Sequence, residues 1–176
     1  MERLKRKRLY LMVGVSGAGK STFIVNHFVR YNENQTIEIV SRDKIRYSLI
    51  TDEDEYFSKE KEVWAEFVRA GIASLEKNDI TILDATHLNE RSRTKILRAL
   101  GTALTDVEVN AIVIDVDLET CINHDNNRTG RAHVGAGVIT NMYQNFTIPT
   151  LEEGFDKIYI VKENYITVIE GGNDYE

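Results

Sequence analysis

Eight consecutive residues, Gly14, Val15, Ser16, Gly17, Ala18, Gly19, Lys20 and Ser21, follow the spacing G-x-x-x-x-G-K-[ST]. Each type has a physical task in holding a chain of phosphates. The glycines let the backbone curl until successive N–H groups point at one anion. Lys20 places a cation where the β- and γ-phosphates of a nucleoside triphosphate lie, and Ser21 offers a hydroxyl to Mg²⁺. Thr22, the next residue, is counted with the phosphate-binding set. A glycine-rich turn without a ligand is the plain alternative. Lysine and serine at these offsets, between an apolar run and a helix-compatible run, argue against it.

Phosphoryl transfer from such a cradle needs a metal, a base beside the acceptor and cations on the developing charge. Asp43 is the candidate base. Arg46 lies three residues on, so on a helix the two share a face, and Arg46 can hold an anionic group of the acceptor. A helix-capping aspartate with a surface ion pair is the alternative. Asp84 ends an apolar run, the position of a metal-associated acid. Thr86, His87 and Asn89 follow it and offer polar groups to a substrate at the same lip. A lone histidine at a strand end is more often a hydrogen-bonded structural group. Arg91 opens a basic stretch with Arg93, Lys95 and Arg98. Arg91 and Arg93, nearest the lip, could meet an anionic substrate; the remainder reads as a solvated face. Arg128 and Arg131 lie in the polar, glycine-bearing stretch 128–137. Carried by a mobile lid onto the γ-phosphate, either would act as an arginine finger in cis.

The elements that must position these residues alternate between strand-like and helix-like runs. Strands are expected over 9–13, 37–40, 80–83, 107–114 and 157–161. The run 166–169 pairs with a neighbour, as a hairpin through Glu163 and Asn164. Helices are expected over 21–31, 44–50, 117–127 and 138–146. Thr51 to Glu55 carry the N-cap and acidic first-turn signals of a long helix reaching residue 77. Its inner face is Trp64, Phe67, Val68, Gly71, Ile72 and Leu75. Asn89 caps a helix over 90–100 that Gly101 stops. This alternation implies an α/β fold with a parallel sheet of four to five strands flanked by helices. Ligands of such sheets bind beyond the carboxyl ends of the strands. The first four ends run into the phosphate loop, Ser41-Arg42-Asp43, Asp84 to His87 and Asp115-Val116-Asp117, so all four are expected at one crevice.

Composition bounds the rest. The 176 residues suit one domain, expected over 9–170, with a basic tail at 1–8 and a frayed acidic tail at 171–176. The single cysteine, Cys121, excludes an internal disulfide. No run approaches a membrane span, and the basic N-terminus does not continue as a signal peptide. A cytoplasmic setting follows as the expectation. The net charge of −6 argues against a broad grip on duplex nucleic acid. It leaves room for a small substrate or for a nucleic-acid end held locally.

These pieces together resemble the kinase domain of phage-type polynucleotide kinases, within the P-loop kinase superfamily. The resemblance runs in order through Gly14–Ser21, Ser41-Arg42-Asp43-Lys44-Ile45-Arg46, Asp84-Ala85-Thr86-His87-Leu88-Asn89-Glu90-Arg91, residues 128–134 and Val138 to Tyr143. It implies transfer of the γ-phosphate of ATP, with Mg²⁺, to the 5′-hydroxyl end of DNA or RNA. Phage encoding would place the protein in the host cytoplasm. By resemblance Asp43 is the general base, Arg46 binds the phosphate next to the acceptor, and Asp84 orders the site. Arg128 or Arg131 is the lid arginine, with Arg131 favoured. His87 stands where the family usually has asparagine, and Gly135 where proline is common. No phosphatase region follows the kinase region in this sequence. Two other functions fit the same residues: a kinase for a small-molecule or nucleoside-type hydroxyl, and an NTPase switch that is not a kinase.

Overall fold

The computed structural model describes residues 6–30, 34–163 and 165–171. Six strands form one sheet: β1 (Lys7–Val13), β2 (Ile37–Ser41), β3 (Ile80–Asp84), β4 (Val107–Ile114), β5 (Lys157–Lys162) and β6 (Tyr165–Glu170), in the order β2-β3-β1-β4-β5-β6. Their neighbours are parallel except β5 and β6, which are antiparallel. The helices are α1 (Lys20–Ile24), α2 (Arg42–Leu49), α3 (Glu60–Lys77), α4 (Glu90–Leu100), α5 (Leu118–Asn126) and α6 (Ala136–Gln144). The expected α/β fold is the observed one. The run 166–169 adds an antiparallel sixth strand at the edge, with its side chains exposed. Asn164 and the terminal segments 1–5 and 172–176 lie outside the described residues.

Strand β1 explains the layering. A central parallel strand is covered on both faces, so its sequence reads as an unbroken apolar run. Leu9, Leu11 and Val13 pack toward Phe67 and Leu75 of α3 and Ile96, Leu97 and Leu100 of α4. Tyr10 and Met12 point the other way, toward Ile24, Cys121 of α5 and Ile139 of α6. The chain leaves β1 for β2 and β3 on one side, then crosses to β4 and β5 on the other. The carboxyl end of β1 therefore lies where strand order reverses, the place where such sheets bind ligands.

Three local expectations are corrected. The helix expected over 21–31 is α-helical only to Ile24; a π-helical turn, Val25–Val29, continues it, and Tyr31 is outside the described residues. The i→i+5 register leaves no mark on a 3.6-residue apolar pattern. The long helix begins at Glu60, not in 51–55. Asp54 spends its carboxylate on Thr51, accepting from its N–H at 2.7 Å and its hydroxyl at 3.1 Å. The capping groups thus close a turn on themselves instead of starting a helix. The inner face of α3 also includes Val63, fully buried, while Trp64, Val68 and Ile72 are only partly covered.

Candidate active site

The phosphate loop leaves β1 and enters α1. Gly17 has φ 84°, and a Cβ there would sit 2.3 Å from the Cys121 carbonyl oxygen. Only glycine fits both constraints. Gly19 precedes α1 in the left-handed region, with φ 98°. The loop is held from beneath. The Gly14 N–H donates to the Thr86 carbonyl at 2.9 Å. The Gly17 carbonyl accepts from Nδ1 of His124 at 2.7 Å.

Lys20 folds back over the loop and donates through Nζ to the carbonyls of Gly14 (2.9 Å) and Val15 (3.0 Å). Burial pushes its ammonium down to about 8, against the pull of Asp84 and Asp43. Burial raises the Asp84 carboxyl above the usual carboxylate range, with Lys20 opposing. Ser21 Oγ donates to Asp84 Oδ2 at 3.3 Å. A hydroxyl and a carboxylate this close are a fitting pair of oxygen donors for Mg²⁺, which fills its remaining positions with water and nucleotide oxygens. No group of three or more His, Cys, Asp or Glu poised to hold a metal exists among the described residues. A metal here would therefore depend on the nucleotide for much of its shell.

Across the cleft stands a second cluster. Ser41 caps α2, accepting from the Lys44 N–H, so Asp43 and Arg46 fall on one face at the helix start. The Arg46 side chain is 6% exposed. Its Nε donates to Glu60 Oε1 at 2.7 Å and its Nη1 to the Tyr56 hydroxyl at 3.2 Å and to Asp43 Oδ1. The guanidinium also faces the rings of Tyr56 (4.8 Å) and Phe57 (5.4 Å). Glu60 accepts from Arg42 Nη2 at 2.8 Å as well. Burial would raise the Glu60 carboxyl, but the two guanidiniums outweigh it and hold it low. The Asp43 side chain is 70% exposed and opens onto the cleft. That cleft, of about 540 Å³, is lined by Lys20, Ser21, Asp43, Arg46, Asp84 and Thr86 among others.

The lid arginines part company. Arg128 donates through Nη1 to Ser16 Oγ of the phosphate loop at 3.0 Å. Arg131 reaches the other way, to the carbonyls of Thr51 (3.1 Å), Asp52 (2.7 Å) and Asp54 (3.0 Å). Arg128 thus lies against the phosphate loop, whereas Arg131, the arginine favoured from the sequence, is held on the 51–54 turn. Asp125, fully buried, ties both ends of this segment. Its carboxylate accepts from the N–H groups of Val134 (3.2 Å) and Gly135 (2.9 Å) and pairs with His133 at 3.0 Å.

Several expected substrate residues stand elsewhere. His87 is buried under the sheet, its Nδ1 2.7 Å from the Met12 carbonyl; burial pushes it down to about 4, so it is neutral. Asn89 is occupied in a capping box with Ser92. Arg91 lies on the outer face of α4 beside a separate groove. Arg93 is fully buried, paired with Glu153 at 2.7 and 2.8 Å. The end of β4 does not line the cleft either: Asp115 pairs with Lys162 and Asp117 caps α5. Glu60, Tyr56 and Asp125 were missed. Arg93 was legible as inward-facing, since it falls with Ile96, Leu97 and Leu100 on one helical stripe. Glu60 and Asp125 gave no such signal.

A family profile described as "AAA domain" matches residues 9–149, most of the chain. The chain belongs to the AAA-domain family. Its fold is the α/β fold of P-loop NTPases, a nucleotide-binding fold. A chain of the Pnkp1/Rnl/Hen1 RNA repair complex is similar at 23% identity and TM-score 0.62, over 82% of this chain and 45% of its own length. This chain thus spans less than half of that protein. Kti12 of Chaetomium thermophilum, solved with ADP-AlF3, is similar at 13% identity and TM-score 0.63, over 89% of both chains. A gluconokinase from Sinorhizobium meliloti 1021 follows at 13% identity and TM-score 0.51, over 92% of this chain and 86% of that one. At these identities the likeness is one of fold. No curated protein sequence matches the chain. Among the described residues no helix is long and apolar enough to cross a membrane.

Proposed function

We propose that this AAA-domain protein is a polynucleotide kinase that moves the γ-phosphate of ATP to a 5′-hydroxyl end of DNA or RNA. One observation carries the reading: a cleft-lining carboxylate, Asp43, shares its helix face with a buried cation, Arg46, opposite the phosphate loop. The pairing suits an acceptor hydroxyl that has an anionic group beside it, as a 5′-terminal nucleotide does. The hydroxyl oxygen attacks the γ-phosphorus, its proton passes to Asp43, and the bond to the β–γ bridging oxygen breaks to release ADP. Lys20 and the loop N–H groups bind the phosphates, and Arg128 meets charge on the transferring group. Ser21 and Asp84 would hold Mg²⁺, which supplies charge neutralisation between the β- and γ-phosphates when bound.

Phosphorylation of a small hydroxyl compound is the second reading, favoured by the acidic net charge of −6. The test offers [γ-³²P]ATP with a 5′-hydroxyl oligonucleotide beside a panel of sugars and nucleosides. Label on the oligonucleotide is expected; label on small acceptors alone overturns the polynucleotide assignment. An NTPase switch is separated by Asp43→Asn. A kinase keeps ATP affinity and loses transfer by about 10²–10⁴-fold, whereas a switch has no transfer to lose.

A further inference from the structure

Helix α4 divides its cations. Arg93 turns inward and is neutralised by Glu153. Arg91, Lys95 and Arg98 turn outward, are exposed, and form no ion pair among the described residues. With Thr94 and one acid, Glu90, they line a groove of about 520 Å³. Three unpaired cations on a chain of net charge −6 make a local positive field. Arg98, in the last turn, is favoured there by the helix dipole. Arg91, in the first turn, is opposed by it, so the helix itself gives no reason for a cation at that end.

The Trp64 ring contacts one cation of the cleft wall and one of the groove. On the cleft side the Arg42 guanidinium lies 5.8 Å from the ring centroid, and Arg42 is part of the cleft wall. On the groove side Lys95 Nζ lies 4.2 Å from the same centroid. A chain of cation–ring–cation contacts therefore links the wall beside Asp43 to α4, and with the α4 cations it forms a path. From Arg91 to Arg98 it extends about 10 Å along the helix axis, the length of a short run of backbone phosphates.

We propose that this path binds the backbone of a single-stranded nucleic acid running away from the acceptor end, with its phosphates on Arg91, Lys95 and Arg98. The proposal rests on the polynucleotide reading and adds a second site to it, outside the catalytic cleft. A small acceptor ends before the path; an oligonucleotide uses it.

Trp64 is the sole tryptophan, so its emission reports occupancy directly. The experiment titrates the full chain with 5′-hydroxyl dT12, following tryptophan fluorescence and fluorescein anisotropy over a range of salt concentrations. The wild type is compared with the surface triple variant Arg91→Gln, Lys95→Gln, Arg98→Gln. Expected are an emission change on binding, about tenfold weaker binding by the variant, and a salt slope lower by about 2. KM for dT12 should rise in parallel, while kcat and KM for thymidine 3′-phosphate stay unchanged. Equal affinity and slope for the two proteins overturn the path, even if dT12 is phosphorylated. Binding by the wild type that the variant loses, with no transfer to dT12, keeps the path and sinks the kinase reading. No binding of dT12 by the wild type sinks the path.

Discussion

The two walls of the cleft are built by different physics. The phosphate-loop wall is made of backbone. Its shape follows from Gly17, which admits no Cβ against the Cys121 carbonyl, from the left-handed Gly19 and from the Thr86 carbonyl beneath Gly14. The wall we propose to take the acceptor, the acceptor wall, is made of side chains: Arg42, Asp43 and Arg46 from α2, Glu60 from α3 and Tyr56 from the turn between them. A backbone cradle serves any nucleoside triphosphate. A side-chain network can be retuned one residue at a time, so acceptor choice belongs on that wall. The lid touches both, Arg128 on the loop and Arg131 on the turn 51–54.

The lid gives the sharpest way to break this contrast. Arg128→Ala should lower kcat about 10³-fold with little change in ATP affinity, because its contact tightens on charge that develops in transfer. Arg131→Ala should cost about tenfold or less, since it only loosens the latch on the turn. Steady-state kinetics on both variants decide it. The larger loss at Arg131 would mean that the lid swings so that the latch arginine, not Arg128, meets the γ-phosphate.

On the acceptor wall, Glu60→Gln leaves Arg46 buried with half its neutralisation. Breaking a partly buried pair of this kind should cost about 2 kcal/mol of stability, read by urea denaturation. Acceptor KM should rise while ATP affinity holds. Unchanged stability would show that Asp43 and Tyr56 suffice to hold Arg46, and the network would be looser than its geometry indicates.

The loop wall responds to pH through Lys20, whose ammonium titrates near 8 when no phosphate is present. Phosphates favour the charged form. Below about pH 7 Lys20 is already protonated and ATP binding takes up no proton there. From pH 8 to pH 9 the free protein loses the charge, so ATP affinity should fall about fivefold with proton uptake on binding. Calorimetry in buffers of differing ionisation enthalpy measures that uptake; its absence at pH 8.5 would mean the free ammonium is not depressed.

The contrast also explains what the sequence made legible. The loop wall is local: eight contiguous residues specify it, and a strand before and a helix after place it. Asp84 and the Asn89-capped helix were equally local. The acceptor wall depends on Arg46 meeting Glu60, fourteen residues away across a turn, and no pattern of spacing encodes that pairing. Thr51 and Asp54 show the converse. Their helix-capping signal was real chemistry, spent on each other. The opposite directions of Arg128 and Arg131 follow from the left-handed Gly130 (φ 59°) between them, a turn that the glycine permits but does not dictate.

His87 offers the smallest and most selective test. It was grouped with the acceptor wall, yet it sits beneath the loop wall as a buried neutral ring. Its backbone has φ 43°, a region that asparagine enters more easily than most residues. Asparagine can also donate to the Met12 carbonyl. His87→Asn should therefore leave neutral-pH stability within about 1 kcal/mol and leave transfer kinetics unchanged. The acid side should differ. The folded ring titrates near 4 and the unfolded one near 6.5, so the unfolded chain binds the extra proton in that interval. The wild type loses stability as pH falls from 6.5 toward 4, by up to about 3 kcal/mol, and the variant should lack that loss. Urea melts at pH 7 and pH 5 measure it. An equal acid loss in both proteins, or a selective rise in acceptor KM, would return His87 to the acceptor wall.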